Sequence, residues 1–348
     1  MNAIVKPPLQ IAGLLSQAGL ASAVKSLTPL KMGGNNRSYR LETEAGVFAL
    51  KEYFCHTADG RDRLNTEFDF CRHAAKFAPG MTPAPLARDA AAGLALYEYV
   101  VGQPYAPGQV SWAAVRSALD FFAALNTAAA KAAALALPKA SEACFSLSRH
   151  LELIGQRLDG LAGAERASEE DEAAGRLVAQ IQSHWQDMCR DLLERARTAG
   201  LAADAELEPS QRCISPSDFG FHNALLSADG SIRFLDFEYA GWDDPAKMSG
   251  DFFAQLAVPV PAEFFDRFVA EAVAPFAAPH ELALRARLLR PVYQVKWCCI
   301  ALNVFLPQHL ARRQFADPGL DAAQLKRAQL DKAQKLFLAI TTTDHGLH

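Results

Sequence analysis

Several features that mark common protein classes are missing from this chain of 348 residues. Its seven cysteines include no C-x-x-C pair, and an odd number without regular spacing argues against a disulfide framework or a zinc site and favours a reducing compartment. No apolar run approaches the roughly 18 residues that a membrane-spanning helix requires, so we expect no membrane segment. With a net charge of −4, the chain has no broad basic field that would draw it to nucleic acid.

The N-terminal segment has to be distinguished from a secretory signal. Ile11–Leu20 is mildly apolar, and Ala21–Ala23 resembles the small-residue site at which signal peptides are cleaved. However, Ile11, Leu14 and Leu15 recur at helical spacing, which favours a short amphipathic helix. We therefore expect a cytoplasmic protein.

What the sequence does contain is a group of polar residues around a predicted β-hairpin. Ala224–Ser227 and Ser231–Leu235 are mostly apolar and flank an Asp-Gly pair, which is a favoured two-residue turn. With that turn, Asn223 would lie opposite Asp236, and side chains paired in this way are about 5 Å apart. An amide oxygen and a carboxylate at that separation suit Mg²⁺.

Asp218 lies five residues before Asn223, in a stretch too irregular to be a helix or a strand. Kinases carry out phosphoryl transfer with an Asp base, a metal-binding Asn five residues later and a second metal-binding Asp. Asp218, Asn223 and Asp236 fit this order. A solvated turn rich in Asp and Asn would give a similar spacing, so the N-terminal third of the chain has to decide between the two interpretations.

The N-terminal third adds a glycine-rich turn and two charged residues. Gly33, Gly34 and Asn35 lie in a predicted turn where backbone N–H groups could approach phosphate oxygens, although most such turns are only turns. Lys51 lies in an apolar strand and needs an anionic partner if it is buried, whereas on an edge strand it would face water. Glu67, on the inward stripe of a predicted helix, could be this partner, as in kinases, or could lie at the helix margin.

The order of the elements predicts two lobes. The first 101 residues contain five predicted strands and the helix that carries Glu67, and most of the rest is helical. We predict an α+β architecture with a small, mainly antiparallel lobe over residues 1–101 and a mostly helical lobe over 102–348. A hinge would join them, and backbone groups around Glu98 and Val100 could bind an adenine edge there.

Together these features resemble the aminoglycoside phosphotransferase and choline kinase family, whose members are small-molecule relatives of protein kinases. The resemblance covers most of the chain, and the order and spacing of its motifs are more specific than any single motif. It rests on Gly33-Gly34-Asn35-Asn36-Arg37-Ser38-Tyr39, Ala49-Leu50-Lys51, Glu67, Asp218 with Asn223, and Leu235-Asp236-Phe237-Glu238 running into Asp244-Pro245.

The resemblance implies a role for each polar residue. Lys51 would hold the ATP phosphates, and Glu67 would orient the lysine. Asp218 would position the acceptor hydroxyl or accept its proton, while Asn223 and Asp236 would bind Mg²⁺. ATP would lie between the two lobes and beneath the glycine-rich turn, with its adenine at the hinge.

Several positions depart from the family pattern. The family usually has a His two residues before the catalytic Asp and a Gly between them, where this chain has Pro216 and Ser217. The family's second His would fall at Gly220, and the Asp that usually follows Asp-Pro closely is displaced to Asp251 or lost. These changes lie in the scaffold around Asp218, so they bear on the choice of substrate more than on catalysis.

The sequence leaves the oligomeric state and the phosphate acceptor open. Tyr239, Trp242, Asp243 and Asp244 could favour a cationic acceptor, such as an amino sugar or a choline-like alcohol. Alternatively, the tryptophan packs in the core and the acids cap the next helix, and a neutral sugar is equally open. We expect an ATP-dependent kinase of a small hydroxylated metabolite. The alternative, left open by the departures around Asp218, is a non-catalytic nucleotide-binding or regulatory protein on the same scaffold.

Overall fold

A five-stranded antiparallel sheet forms the N-terminal part of the computed structural model, which describes residues 8–30, 36–54 and 61–344. The elements of this part are α1 (Pro8–Gln17), β1 (Val24–Leu30), β2 (Arg37–Thr43), β3 (Gly46–Glu52), α2 (Arg63–Phe77), β4 (Pro85–Asp89) and β5 (Leu94–Glu98). The strand order across the sheet is β1-β2-β3-β5-β4, and every neighbouring pair is antiparallel. The predicted turn at Gly33, Gly34 and Asn35 lies outside the described residues.

The two faces of this sheet pack against different helices. Leu50 belongs to a small core that includes Leu14 and Leu15 of α1, so the predicted amphipathic helix is confirmed and covers one face. Side chains alternate between the faces of a strand, so Lys51 points to the opposite face. On that face Tyr97 packs with Phe68 of α2. The alternation therefore directs Lys51 toward the helix that carries Glu67.

Helices make up most of the larger, C-terminal part, as predicted. Its elements are β6 (Gln103–Pro104), α3 (Trp112–Leu125), α4 (Ala128–Ala133), α5 (Leu147–Ala162), α6 (Glu169–Thr198), β7 (Cys213–Ser215), β8 (Ala224–Leu226), β9 (Ile232–Phe234), β10 (Gly241–Asp243), α7 (Pro245–Ala254), α8 (Phe265–Val273), α9 (Pro279–Leu302), α10 (Pro307–Ala316) and α11 (Ala322–Asp344). α9 lies at the centre and packs against α5, α6, α7, α8 and α11. The predicted α+β class is confirmed, whereas the lobe boundary at residues 101 and 102 stays a prediction.

None of the helices within residues 8–30, 36–54 and 61–344 combines the length and the apolar character that crossing a membrane requires.

The hairpin of β8 and β9 has a longer turn than predicted. Ser227 N–H donates to the Ser231 carbonyl (2.9 Å), which leaves three residues in the loop instead of two. Gly230 is the last of these and has a φ of +84°, the left-handed conformation that the third position of such a loop requires. The observed pairs are Ala224 with Phe234, Leu225 with Arg233, and Leu226 with Ile232.

This extra loop residue shifts the register by one. Asn223 lies opposite Leu235, whose N–H donates to the Asn223 carbonyl (2.8 Å). The prediction that Asn223 pairs directly with Asp236 is therefore wrong. Asp236 lies one residue further along, with a φ of +65° that is uncommon for a residue with a side chain. The aspartate thus leaves the ladder where the hairpin ends.

Candidate active site

Lys51 connects the two parts of the chain through carboxylates. Its Nζ lies 2.6 Å from Oε2 of Glu67 on α2 and 2.5 Å from Oδ1 of Asp236 after β9. The Tyr53 hydroxyl donates to the same Glu67 oxygen (2.8 Å). Only 12% of the Lys51 side chain and 6% of the Glu67 side chain are exposed. The lysine is therefore buried between acids, and the alternative of an edge-strand lysine that faces water is wrong.

The electrostatics of this cluster favour a cation beside Asp236. Burial opposes the charge of Lys51, but Asp236 and Glu67 outweigh burial and raise the pKa of the lysine above its ordinary value. Burial raises the pKa of Asp236, Lys51 opposes this effect, and the carboxylates of Glu238 and Glu67 add to it. Three carboxylates thus share the space around one lysine, and such a cluster binds further positive charge favourably.

The loop between β7 and β8 holds Asp218 in a fixed position. Ser217 has a φ of +67°, and its carbonyl accepts from the Phe219 N–H (2.7 Å), so the chain turns sharply at the aspartate. Phe219 and Phe221 are buried and anchor the loop in the core. The amide Nδ2 of Asn223 donates to the Asp218 carbonyl (3.0 Å). Asp218 and Asn223 therefore form one rigid unit.

His222 is a neighbour of Asp218 that the sequence reasoning did not assign to the site. Its Nε2 lies 3.1 Å from Oδ1 of Asp218. Burial would raise the pKa of Asp218, but His222, Lys296 and the hydrogen bond from Asn223 hold it below its ordinary value. Asp218 is consequently ionised at neutral pH, and a carboxylate in this state can accept a hydrogen bond from a hydroxyl group.

The oxygen atoms that remain at Asn223 and Asp236 fit Mg²⁺. Asn223 uses its nitrogen toward Asp218, and Asp236 uses Oδ1 toward Lys51. Within the described ranges, Asn223 Oδ1 and Asp236 Oδ2 have no hydrogen-bond donor. An amide oxygen and a carboxylate oxygen are the hard ligands that Mg²⁺ takes together with phosphate oxygens.

Glu238 is a further residue of the site, which the sequence analysis named in a motif but gave no role. Its side chain is fully buried and accepts from Asn36 Nδ2 (2.6 Å) and from Arg63 Nη1 (3.0 Å). Asn36 also accepts from the Phe54 N–H (3.0 Å), next to the end of β3. Glu238 thus ties the segment after Asp236 to the N-terminal sheet. Its position two residues after the predicted metal ligand was the available signal.

The predicted hinge is held by side-chain contacts. Glu98 accepts from Arg233 Nη2 (2.6 Å) and from the Ala84 N–H (3.1 Å), while Ser227 Oγ donates to the Val101 carbonyl (3.3 Å). The Glu98 side chain is therefore occupied by the protein. Val100 lies two residues beyond the end of β5 and is half-buried. Adenine binding by their backbone groups stays a prediction.

The acids and the tryptophan after Asp236 have structural partners. Trp242 Nε1 donates to the Ala134 carbonyl (3.1 Å). Asp243 and Asp244 are fully buried, and Asp244 caps α7 by accepting from the Ala246 N–H (2.7 Å). The structural interpretation of these residues is confirmed, so they do not form a surface for a cationic acceptor.

Lys247 supports the loop between β7 and β8, a role that the sequence analysis did not predict. It is fully buried, and its Nζ lies 3.2 Å from Ser217 Oγ, 2.9 Å from Asp243 and 3.3 Å from Asp251. Asp251 also accepts from Lys296 of α9 at 2.8 and 2.9 Å. The displaced aspartate is therefore part of a buried ion network. This network holds Ser217 where the family pattern has a glycine.

Replacing Lys247 with Met is expected to lower the free energy of unfolding by about 3 to 5 kcal/mol, because it takes the lysine away from the fully buried carboxylate of Asp243 and leaves Asp251 with Lys296 alone. Chemical denaturation measures this loss. The matched control is Lys335→Met, which removes an exposed lysine that pairs with Asp331 at 2.7 Å on α11. Exposed pairs are worth less than about 1 kcal/mol. Equal losses in the two variants would show that the network does not support the loop.

The fold and the lysine–carboxylate cluster together define a kinase-like protein. Residues 26–286 match the model of the Phosphotransferase enzyme family (APH). The chain belongs to this family, which confirms the resemblance seen in the sequence.

Solved structures with the same fold include kinases of small molecules. The choline kinase of Cryptosporidium parvum Iowa II is 13% identical with a TM-score of 0.56, and the match covers 91% of each chain. The choline kinase of Streptococcus pneumoniae is 16% identical with a TM-score of 0.56, over 93% of this chain and 96% of that chain. A spectinomycin phosphotransferase in complex with ADP and spectinomycin is 12% identical with a TM-score of 0.56, over 93% and 99%. No curated protein is a significant sequence match.

Proposed function

We propose that the chain is an ATP-dependent phosphotransferase that moves the γ-phosphate to a hydroxyl group of a small metabolite. The observation that carries this proposal is the convergence of Lys51, Glu67 and Asp236 close to the unit formed by Asp218 and Asn223. These side chains come from both parts of the chain. Family membership supports the reaction type, and the ADP-bound spectinomycin phosphotransferase supports nucleotide use.

In the proposed reaction, the acceptor oxygen forms a bond to the γ-phosphorus while the bond between this phosphorus and the bridging oxygen of ADP breaks. Lys51 binds the phosphates, and Glu67 keeps its ammonium group in place. Asp218 accepts the hydrogen bond of the acceptor hydroxyl, orients its oxygen toward the γ-phosphorus and takes up the proton late, since an ionised carboxylate is a weak base.

Asn223 and Asp236 would hold Mg²⁺, which neutralises charge on the phosphate oxygens when it is bound. We also propose that Glu98 and Val100 bind adenine through their backbone, and that residues 33–35 lie over the phosphates. The lobes would then be residues 1–101 and 102–348. The cytoplasmic location stays a prediction from the sequence.

Binding of MgATP to the wild-type protein tests this proposal directly. Calorimetric titration with ATP is expected to show binding in the presence of Mg²⁺ and much weaker binding after the metal is removed with EDTA. A folded protein that binds no MgATP would contradict the nucleotide site and leave a shared fold with another use.

MgATP binding without turnover of any hydroxylated acceptor would instead favour the alternative of a non-catalytic nucleotide-binding protein. The intact set of Lys51, Asp218, Asn223 and Asp236 supports the enzyme.

A further inference from the structure

Cationic side chains from several helices come together around one histidine beside the candidate active site. This basic cluster consists of Arg63 on α2, Arg157 on α5, and His309, Arg312 and Arg313 on α10. Lys296 on α9 adjoins it, because Glu142 pairs with Arg157 and lies 3.7 Å from Lys296. Burial lowers the pKa of His309 to about 4, together with nearby arginine charges that belong to Arg312, Arg157, Arg313 and Arg63. Charges from three separate helices therefore act on a single ring.

The segment of α9 that carries Lys296 lies close to Asp218. Trp297, the neighbour of Lys296 on α9, packs edge-on against the ring of His222 with 6.3 Å between centroids, and His222 contacts Asp218. Burial lowers the pKa of Arg313, and the phenol of Tyr239 and the carboxylate of Asp218 oppose this effect, so the arginine lies within electrostatic reach of the candidate catalytic carboxylate.

α10 also reaches the N-terminal sheet. Phe315 packs against Phe54 after β3 with 5.2 Å between ring centroids, and the Arg37 guanidinium lies 4.1 Å above the Phe315 ring. Arg37 Nε donates to the Phe315 carbonyl (2.9 Å). This helix of the C-terminal part therefore packs against the N-terminal sheet at the end of β3.

The carboxylates near the cluster are already engaged. Glu142 pairs with Arg157 and lies 3.7 Å from Lys296, and Asp251 accepts from Lys296. Glu238, next to this group, pairs with Arg63. The acids of this region therefore have cationic partners of their own.

Two guanidinium groups have N–H donors that could bind an anionic ligand. Arg313 is half-buried and makes no side-chain hydrogen bond or ion pair with a residue that the structure describes. In the same ranges, Arg157 Nε is buried without a hydrogen-bond acceptor. Burial of a charged donor without a partner is costly, so the arrangement is suited to an anionic ligand.

We propose that the phosphate acceptor is itself an anion, a hydroxylated metabolite whose carboxylate or phosphate group is bound by Arg313 and Arg157. The planar fork of a guanidinium matches either group in a bidentate manner. The inference rests on the proposed function, because it names the acceptor of that reaction. It replaces the cationic acceptor that the sequence left open, since a cation such as choline would be repelled by the basic cluster.

Calorimetry on the wild-type protein saturated with MgADP tests the inference. The probes are two matched sets of small molecules. The first set contains glucuronate, glucose 6-phosphate, glucose and glucosamine. The second set contains glycerate, glycerol 3-phosphate, glycerol and ethanolamine. In at least one set the anionic members are expected to bind about tenfold or more tightly than the neutral member, with the cationic member weakest. The carboxylate and phosphate members show which anionic group is preferred.

Variants identify the residue responsible. Arg313→Gln is expected to weaken anion binding about tenfold or more. Arg313→Lys keeps the charge but lacks the planar guanidinium, so its affinity for the anion is expected to lie between those of Arg313→Gln and the wild type. The matched control Arg190→Gln removes an exposed arginine of α6 and is expected to change nothing. MgADP binding in each variant reports that its fold is intact.

Three results would each overturn the inference. The protein could prefer a neutral or cationic probe, it could bind no anionic probe at millimolar concentration, or Arg313→Gln could bind anions as tightly as the wild type does. The proposed kinase activity would stand in these cases as long as the wild type binds MgADP. Failure of the wild type to bind MgADP would instead count against the proposed function itself.

Discussion

Replacing Asp218 with Asn is expected to slow phosphoryl transfer about 10²- to 10⁴-fold, the range that a positioned acid–base group contributes. Asparagine has the same shape, so the hydrogen bond from Asn223 to the backbone carbonyl of residue 218 is kept. The amide cannot take up the proton of the acceptor hydroxyl and offers one acceptor oxygen instead of two. The loss should therefore appear in kcat, while the affinity for MgATP stays close to that of the wild type.

ADP release in the presence of the acceptor that the charge-matched probes identify measures this effect, and calorimetry measures MgATP affinity in the same preparations. Asp229→Asn is the control, since it makes the same chemical change in the exposed hairpin loop, where Asp229 accepts from Ser231. Turnover that survives unchanged in Asp218→Asn would show that Asp218 does not act on the acceptor hydroxyl.

The parts of the site that the sequence predicts are those that local periodicity determines. Lys51 alternates with Leu50 along β3, and Glu67 lies on the buried stripe of α2, so each periodicity points its side chain toward the same space. The spacing of Asp218 and Asn223 is short enough for one loop to hold both. For these residues the sequence pattern and the observed contacts agree.

The register of the hairpin of β8 and β9 is less strongly determined by the sequence than the positions of these residues are. Loops of two and three residues are both common in hairpins, and an Asp-Gly pair is compatible with each of them. The chain includes Ala228 in the loop and places Gly230 in the left-handed position. The sequence analysis predicted the shorter loop. The observed loop is one residue longer, so Asp236 does not lie opposite Asn223 as predicted.

The ion network and the basic cluster are assembled from distant segments, so no local pattern reveals them. Lys247 and Asp251 are one helical turn apart on α7, but only the packing of α9 shows that both face inward. Arg63, Arg157 and Arg313 belong to three helices that are far apart in the chain. Charges like these are individually ordinary for surface residues, and only the tertiary structure brings them together.

Replacing Asp236 with Asn is expected to remove most of the dependence of ATP binding on Mg²⁺. The change replaces the charged ligand of the proposed metal site with a neutral amide, and mutation of even the residues that only orient metal ligands costs about tenfold to a hundredfold in metal affinity. Lys51 keeps its contact with Glu67, so the phosphates retain their lysine. MgATP affinity should therefore fall by about this factor, and kcat should fall with it.

The affinity for metal-free ATP is not expected to fall in Asp236→Asn. Asp236 is a carboxylate beside the space proposed for the phosphates, and its removal relieves a repulsion that only a cation would otherwise screen. ATP in EDTA should bind Asp236→Asn at least as tightly as it binds the wild type. Paired titrations with and without Mg²⁺ measure both effects in the same protein. A variant that loses affinity equally under the two conditions would show that Asp236 supports the fold of the site, and Mg²⁺ binding would then have to be assigned to other residues.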